Sequence, residues 1–169
     1  MTALGERFRV SGLVKNAYAP EVYLDHAAIE CAGLPRAEVE NAAARFLLAQ
    51  PGIAEVFTRT RMEQGVASKS RLALLMQRAW HRELAGDPVL VTEPYSFFGN
   101  GGADSGTTHG TPCDYDTNVP LLLMGKPWIR PGAVAQYAEV VDIAPALAHI
   151  LHVRPPAAAE GRVLTEALR

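Results

Sequence analysis

The length, composition and charge of the chain exclude several classes of protein. It has 169 residues, of which 49% are hydrophobic and 20% charged, so it has the make-up of one folded domain and not of a disordered tail. The formal net charge of −2 argues against a specific nucleic-acid partner, because such a surface normally needs a clustered basic excess. The apolar run VPLLLM at 119–124 is far shorter than a membrane span of roughly 20 residues, so no membrane-spanning segment is expected.

Strand-like and helix-like patterns alternate along the first half of the chain. Residues 7–14 alternate as a strand does, and residues 21–24 form a second short strand. Pro35 opens a helix at its first turn, and Pro51-Gly52 ends it. The elements predicted next are a strand at 53–58, a helix at 71–84 capped by Ser70, and a buried strand at 89–92.

The second half begins with a long glycine-rich loop at 94–112, and loops of that length are usually functional or disordered. A buried strand at 119–124 follows, and then an amphipathic helix at 140–151 with Asp142 near its start. Strands that alternate with helices predict an α/β fold.

No clear linker interrupts the chain, so residues 1–169 are predicted to form a single unit. Its β-α-β-α-β portion is 1–93, and 94–169 holds the glycine-rich loop, the buried strand and the C-terminal helix. Two cysteines, Cys31 and Cys113, are too few for a disulfide scaffold, and a single disulfide between them stays open.

Candidate chemistry is concentrated in residues 106–120. His109 lies between glycines and is followed by two acidic residues, just before the predicted strand. Neutral imidazole is a good zinc ligand, and flanking glycines let the backbone approach an ion or a phosphate closely. A solvated loop with one surface histidine is the simpler alternative.

The segment THGTPCDYDTNVPLLLMG at 108–125 resembles the C-terminal zinc-ligand segment of the alkaline phosphatase superfamily, in its bacterial phosphate monoesterase and phosphodiesterase branch. Shorter pieces agree in the same order. They are VYLD at 22–25, QPGIAEVFTR at 50–59, DPVLVTEPYSFF at 87–98, VVDIAPALAHILHV at 140–153 and GRVL at 161–164. The resemblance implies a small mixed sheet with flanking helices, as the C-terminal part of an alkaline-phosphatase-like α/β/α sandwich. It also implies two-zinc phosphoryl transfer, with a Thr or Ser nucleophile.

His109 matches the last zinc ligand of that superfamily. Asp114, Asp116 and Thr108 are candidates to orient its imidazole or to brace the loop. Asn118 stands where many relatives have His, so no ligand role is assigned there.

Most of the zinc ligands implied by the resemblance are missing. None of the six Asp residues has a His four positions on, as the superfamily's Asp-x-x-x-His segment requires. The dipeptide Asp25-His26 is followed by Ala where the superfamily's Asp-His pair is followed by Gly, so it is interpreted as a strand end leading into a short helix. His149 and His152 have a spacing that can bind metal, but one partly buried and one surface histidine are the favoured interpretation.

These observations predict the C-terminal part of a two-zinc hydrolase of phosphate mono- or diesters, inactive alone because the nucleophile and most ligands are absent. The alternative is a non-catalytic binding or oligomerisation module that kept the fold. A hydrolase using Ser105 is disfavoured, because the glycine two residues before the serine of a nucleophile elbow is missing. Unpaired strand edges predict self-association of the isolated chain. Residues 1–20 lack the apolar core of a signal peptide, whereas the resemblance implies that the complete protein is exported to the periplasm.

Overall fold

A computed structural model of the chain describes residues 3–66, 70–99, 106 and 108–169, and Ser105 lies outside them. Contacts divide the chain into two compact units, one that extends to Asn118 and one from Val119 to Arg169. The sequence predicts a single unit with portions at 1–93 and 94–169, whereas the contact boundary lies after Asn118. His109 and its loop therefore belong to the same unit as the sheet.

The first unit is built around a four-stranded sheet with the order β1-β2-β4-β3, in which each neighbouring pair is antiparallel. The strands are β1 (Val14–Tyr18), β2 (Glu21–Leu24), β3 (Ile53–Thr58) and β4 (Pro88–Thr92). Every residue of β4 is buried, as its continuous apolar sequence predicts. The predictions of β2, β3 and β4 are confirmed, and the sheet with its helices confirms the α/β class.

Six described helices accompany the sheet. They are α1 (Ala3–Phe8), α2 (His26–Cys31), α3 (Arg36–Leu48), α4 (Arg59–Glu63), α5 (Arg71–Ala79) and α6 (Asp114–Thr117). The Ser70 hydroxyl accepts a hydrogen bond from the Ala73 amide at 3.2 Å, which confirms the predicted cap of α5. That helix ends five residues earlier than predicted, because the backbone of Trp80 is extended, with ψ of 132°.

The apolar residues of the first unit form two buried clusters. One joins α1, α2 and α3 to β2, and consists of Leu4, Leu13, Leu24, Ile29, Val39, Ala42 and Ala43. The other lies between β3, β4, α4 and α5, and consists of Phe57, Met62, Ala73 and Val91. Phe57 is fully buried, so β3 directs its largest side chain into this second cluster.

Two predicted strands are wrong. Residues 7–14 contain the end of α1, a loop and only the first residue of β1, because Leu4 and Phe8 are four residues apart and contact the same cluster, which is a helical spacing. Residues 119–124 form no strand with any described part of the chain, and their apolar side chains are exposed; Leu122 is 88% exposed and Met124 99%. An apolar run becomes a buried strand only where neighbouring strands pair with its backbone, and the described residues provide none.

The second unit has one helix, α7 (Ile143–Ile150), preceded by a 3₁₀ turn at Val140–Asp142. The helix predicted at 140–151 is therefore confirmed, with a tighter first turn. Ile129 and Leu168, near the end of the chain, form an isolated antiparallel bridge in this unit. None of the described helices combines the length and apolar character that crossing a membrane requires.

Asp142 joins two of the motif pieces in the second unit. Its carboxylate accepts hydrogen bonds from the Glu139 amide at 2.9 Å and the Arg162 amide at 2.8 Å, and these bonds hold the pKa of Asp142 below its usual range. Next to this contact, a Cβ on Gly161 would lie 2.2 Å from the carbonyl oxygen of Val141. Only glycine fits at that position, so the pieces at 140–153 and 161–164 pack backbone against backbone.

Candidate metal-ligand site

His109 lies on the loop that precedes α6, and its exposed side chain borders a cleft of the first unit. Gly110 follows with φ of +103°, a backbone conformation that residues with a side chain rarely adopt. Glycine at this position therefore sets the path of the chain directly after the imidazole. The candidate zinc ligand is presented at the surface of the unit.

Asp116 braces this loop through two hydrogen bonds to a single residue. Its Oδ2 accepts from the Thr111 hydroxyl at 2.7 Å and from the Thr111 backbone amide at 2.8 Å. These two bonds hold the pKa of Asp116 below its usual range, and the neighbouring charge of His109 adds a smaller effect in the same direction. Asp116 thus fixes the chain two residues after the candidate ligand. A role in orienting the imidazole itself stays a prediction.

Asp114 has a different partner. Its carboxylate pairs with Arg71 at the start of α5, and another guanidinium nitrogen of Arg71 donates to the Thr117 hydroxyl at 2.9 Å. These contacts attach α6 to α5 and do not involve His109. Thr108 is exposed and forms no hydrogen bond with the other described residues. Of the three predicted accessory residues, only Asp116 is seen to hold the loop of His109.

The Asp25-His26 pair is a strand end followed by a short helix, as predicted. Asp25 caps α2 by accepting a hydrogen bond from the Ala28 amide at 2.9 Å. The Nε2 atom of His26 lies 2.6 Å from Oδ1 of Asp87, so this imidazole is engaged in a contact within the unit. Neither of these contacts involves His109.

Asp87, the first residue of the motif piece at 87–98, is a buried carboxylate to which the sequence analysis assigned no role. It accepts hydrogen bonds from the Leu24 amide at 2.7 Å and from Nε of Arg59 at 2.8 Å, in addition to its contact with His26. Its partners lie 28 to 63 residues away in sequence, so no local spacing could have indicated them. Arg59 also donates to the carbonyl oxygens of Arg82 and Ala85, so the pair ties β2, α4 and the segment before β4 together.

No group of three or more His, Cys, Asp or Glu side chains in the described parts of the chain is positioned to hold a metal ion. His149 and His152 are both exposed, so the interpretation of one as partly buried is wrong. Cys31 and Cys113 are free thiols. A catalytic zinc needs about three protein ligands. The exposed imidazole of His109 therefore fits the contribution of one ligand, and the described residues do not fit a complete zinc site.

The cleft beside His109 has a volume of about 380 Å³. Its apolar lining includes Met62, Met76, Trp80 and Phe98. The indole N–H of Trp80 is buried and has no hydrogen-bond acceptor among the described residues. The lining comes from segments far apart in sequence, which is why the sequence pattern did not indicate it.

No protein-family model matches the chain. A protein named calcium-transporting ATPase from Myroides odoratus is 29% identical over 170 residues, which cover 98% of this chain and 30% of that protein. Alkaline phosphatase PafA from Elizabethkingia meningoseptica is 25% identical over 167 residues, again 98% of this chain and 30% of that protein. The crystal structure of wild-type PafA matches with a TM-score of 0.82 at 23% identity, over 98% of this chain and 31% of that chain.

This chain matches a segment of the alkaline phosphatases. The match extends over nearly all of the chain but over less than a third of the PafA fold. The resemblance first found in the segment at 108–125 and in the shorter pieces is therefore confirmed at the level of the superfamily.

Proposed function

We propose that the chain is the C-terminal part of a two-zinc hydrolase of phosphate mono- or diesters, and that His109 supplies one zinc ligand. The match to about 30% of alkaline phosphatase PafA carries this proposal. The exposed imidazole, the turn at Gly110 and the brace of Asp116 on Thr111 support it, because together they hold the backbone of the loop that presents one imidazole at the surface.

Bound zinc ions would stabilise the attacking and leaving oxygens of a phosphoryl transfer. The part of this chain in that chemistry would be to supply the imidazole of His109 as one nitrogen ligand. Asp116 restrains the loop, and Gly110 allows the backbone to turn away directly after the ligand. A nucleophile and the further ligands must come from outside the described residues, and they are proposed to lie in the part of the PafA fold that this chain does not cover, so the isolated chain is expected to be inactive.

Two measurements on the purified chain test this proposal. With zinc, we expect no hydrolysis of 4-nitrophenyl phosphate or bis(4-nitrophenyl) phosphate above the buffer rate. In an NMR titration, zinc should shift the imidazole resonances of His109. Replacement of His109 by Ala should weaken the binding of zinc to the chain. His149→Ala is the matched control, because His149 is also exposed but lies on α7. Hydrolysis that disappears in His109→Ala, or zinc that prefers His149, would contradict the proposal.

A second candidate function is a non-catalytic binding or oligomerisation module. The exposed apolar segment at 119–124 favours it, because contiguous exposed apolar side chains usually mark an interaction surface. By the same argument, the isolated chain is proposed to self-associate through this segment. A module of this kind would bind no zinc at His109, which separates it from the first candidate.

The complete protein is proposed to be exported to the periplasm, on the basis of the superfamily resemblance alone. Fractionation of cells that express the full-length protein tests this directly. Recovery of the protein in the cytoplasmic fraction would contradict it.

A further inference from the structure

Tyr95 adopts a backbone conformation that its residue type disfavours. Its φ is +62°, and it is the third residue of a turn closed by a hydrogen bond of 3.1 Å from the Ser96 amide to the Glu93 carbonyl oxygen. Pro94 is the second residue, and a proline followed by a residue of positive φ is the pattern of a type II turn, which favours glycine at the third position. Strain of this kind persists where surrounding contacts hold the residue in place, so the contacts of Tyr95 indicate its role.

Those contacts are made with Tyr115 on α6. The two rings are stacked, with centroids 5.0 Å apart and planes inclined by 17°. The Tyr115 hydroxyl also accepts a hydrogen bond from the Tyr95 amide at 2.9 Å. Tyr95 is nevertheless 87% exposed, so its ring adds little to the buried core. The main consequence of this stacked pair is therefore the position of α6.

The position of α6 in turn determines the path of the loop that carries His109. A helix of four residues has no stability of its own, so α6 depends on its contacts with the rest of the unit. Asp116 follows Tyr115 in this single turn, and its carboxylate accepts both hydrogen bonds from Thr111. Because the two residues are adjacent, a displacement of Tyr115 also moves the carboxylate that holds Thr111, two residues after His109.

We propose that Tyr95 and Tyr115 are positioning residues for His109, which act through α6 and the bonds between Asp116 and Thr111. The proposal rests on the proposed function, because it treats the loop of His109 as a metal-ligand loop. It also explains a tyrosine at a turn position that favours glycine, since glycine would fit the turn better but offers no ring to hold α6.

Amide hydrogen exchange of the zinc-free chain, followed by NMR, measures this connection directly. The Thr111 amide donates to Asp116 at 2.8 Å, so its exchange rate reports how often that bond opens. We expect Tyr95→Gly to raise this rate about fivefold, as the loss of one aromatic pair would give. The Leu90 amide in β4, which donates to the Pro20 carbonyl oxygen at 2.8 Å, should exchange at an unchanged rate.

Two conservative variants separate the ring from the hydroxyl. Tyr95→Phe keeps the ring and the backbone amide, and it removes a hydroxyl that forms no hydrogen bond with the described residues, so Thr111 should keep its wild-type protection. Tyr115→Phe keeps the stack and removes the acceptor, and should raise the exchange rate of Thr111 about threefold. If Tyr95→Gly does not fold, Tyr115→Phe still decides.

The same samples report on His109 through the heteronuclear NOE of its backbone amide. This NOE should decrease in Tyr95→Gly and return to the wild-type value in Tyr95→Phe, because a freed loop moves faster and over a larger range. A general loss of stability would instead raise the exchange rates of Thr111 and Leu90 together.

Three outcomes would overturn the proposal. These are an unchanged exchange rate of Thr111 in the variants that remove a contact, an equal increase at Thr111 and Leu90, and a Tyr95→Phe chain that behaves like Tyr95→Gly. None of these measurements needs zinc. If the loop depends on the stacked pair but His109 does not respond to zinc, the proposed function fails; if zinc binds and Thr111 is unaffected, only the positioning role fails.

Discussion

The two units of the chain bury apolar side chains to different extents. The first unit has a sheet with a fully buried strand, β4, and two apolar clusters. In the second unit the buried apolar side chains are few and mostly small, and they are Pro145, Ala146, Ala148, Leu164 and Leu168. A unit with so little apolar burial depends more on specific contacts, of which the backbone packing at Gly161 and the bonds of Asp142 are the clearest. We therefore expect that the loss of one specific contact lowers the free energy of unfolding more in the second unit, where few buried apolar side chains compensate for it.

The largest expected effect is on the second unit, from Gly161→Ala. The new Cβ would meet the Val141 carbonyl oxygen at 2.2 Å, so the two segments must separate, at a cost of about 3 kcal/mol or more. Urea unfolding followed by Trp128 fluorescence should show the loss of this unit's transition, while Trp80 still reports a folded first unit. Gly125→Ala is the matched control, because its Cβ would come no closer than 3.5 Å to Ile129. Equal stability of the two variants would contradict the prediction.

In the first unit the buried carboxylate of Asp87 is expected to be sensitive to substitution. Asp87→Asn removes the charge that pairs with Arg59, which is itself largely buried, and should lower the free energy of unfolding by about 3 kcal/mol. Urea unfolding followed by Trp80 fluorescence in a Trp128→Phe background measures this. Asp114→Asn breaks the exposed ion pair with Arg71 and should cost less than about 1 kcal/mol. A cost at Asp87 no larger than at Asp114 would show that the buried network does not stabilise the unit.

The exposed segment of the second unit predicts a change in assembly. Wild-type chain should sediment at high micromolar concentration as a species heavier than the 18.2 kDa monomer, because association removes apolar side chains from water. Leu122→Lys combined with Met124→Lys should restore the monomer without changing the circular dichroism spectrum. Tyr18→Lys, at an exposed position of β1, is the control and should leave the assembly intact. A wild-type monomer would reject self-association.

The smallest expected effect is a pH dependence in the second unit. The hydrogen bonds from the Glu139 and Arg162 amides lower the pKa of folded Asp142 below its ordinary value of 3.8. Its contribution to stability is therefore complete above that value and is lost as the pH falls through the folded pKa. Urea midpoints at neutral pH and below pH 3.8, followed by Trp128 fluorescence, should differ less in Asp142→Asn than in the wild type. Glu166→Gln is the control for the neighbouring pair with Arg162, and an unchanged pH dependence in Asp142→Asn would refute the assignment.

Sequence patterns predicted the parts of the fold that local physics determines. The strand at Ile53–Thr58, the Ser70 cap and the helix after Asp142 follow from alternation, capping and helical spacing within a few residues. Residues 119–124 were predicted wrongly, because a strand depends on partners that the described chain does not contain. By contrast, the loop of His109 was recognisable from the sequence, because its residues form the continuous motif at 108–125. The Asp87 network and the Trp80 cleft were not, since their members meet only in the folded unit.

One residue in the exposed segment restricts what can pair with it. Pro120 carries no amide hydrogen, so a strand laid along residues 119–124 finds no donor at the second position. Extended pairing is therefore favoured on the side of the segment to which the backbone of Pro120 does not point. An uncovered apolar segment of this kind is protected against the indiscriminate stacking of identical chains that leads to fibrils, while one matched partner strand can still bind it.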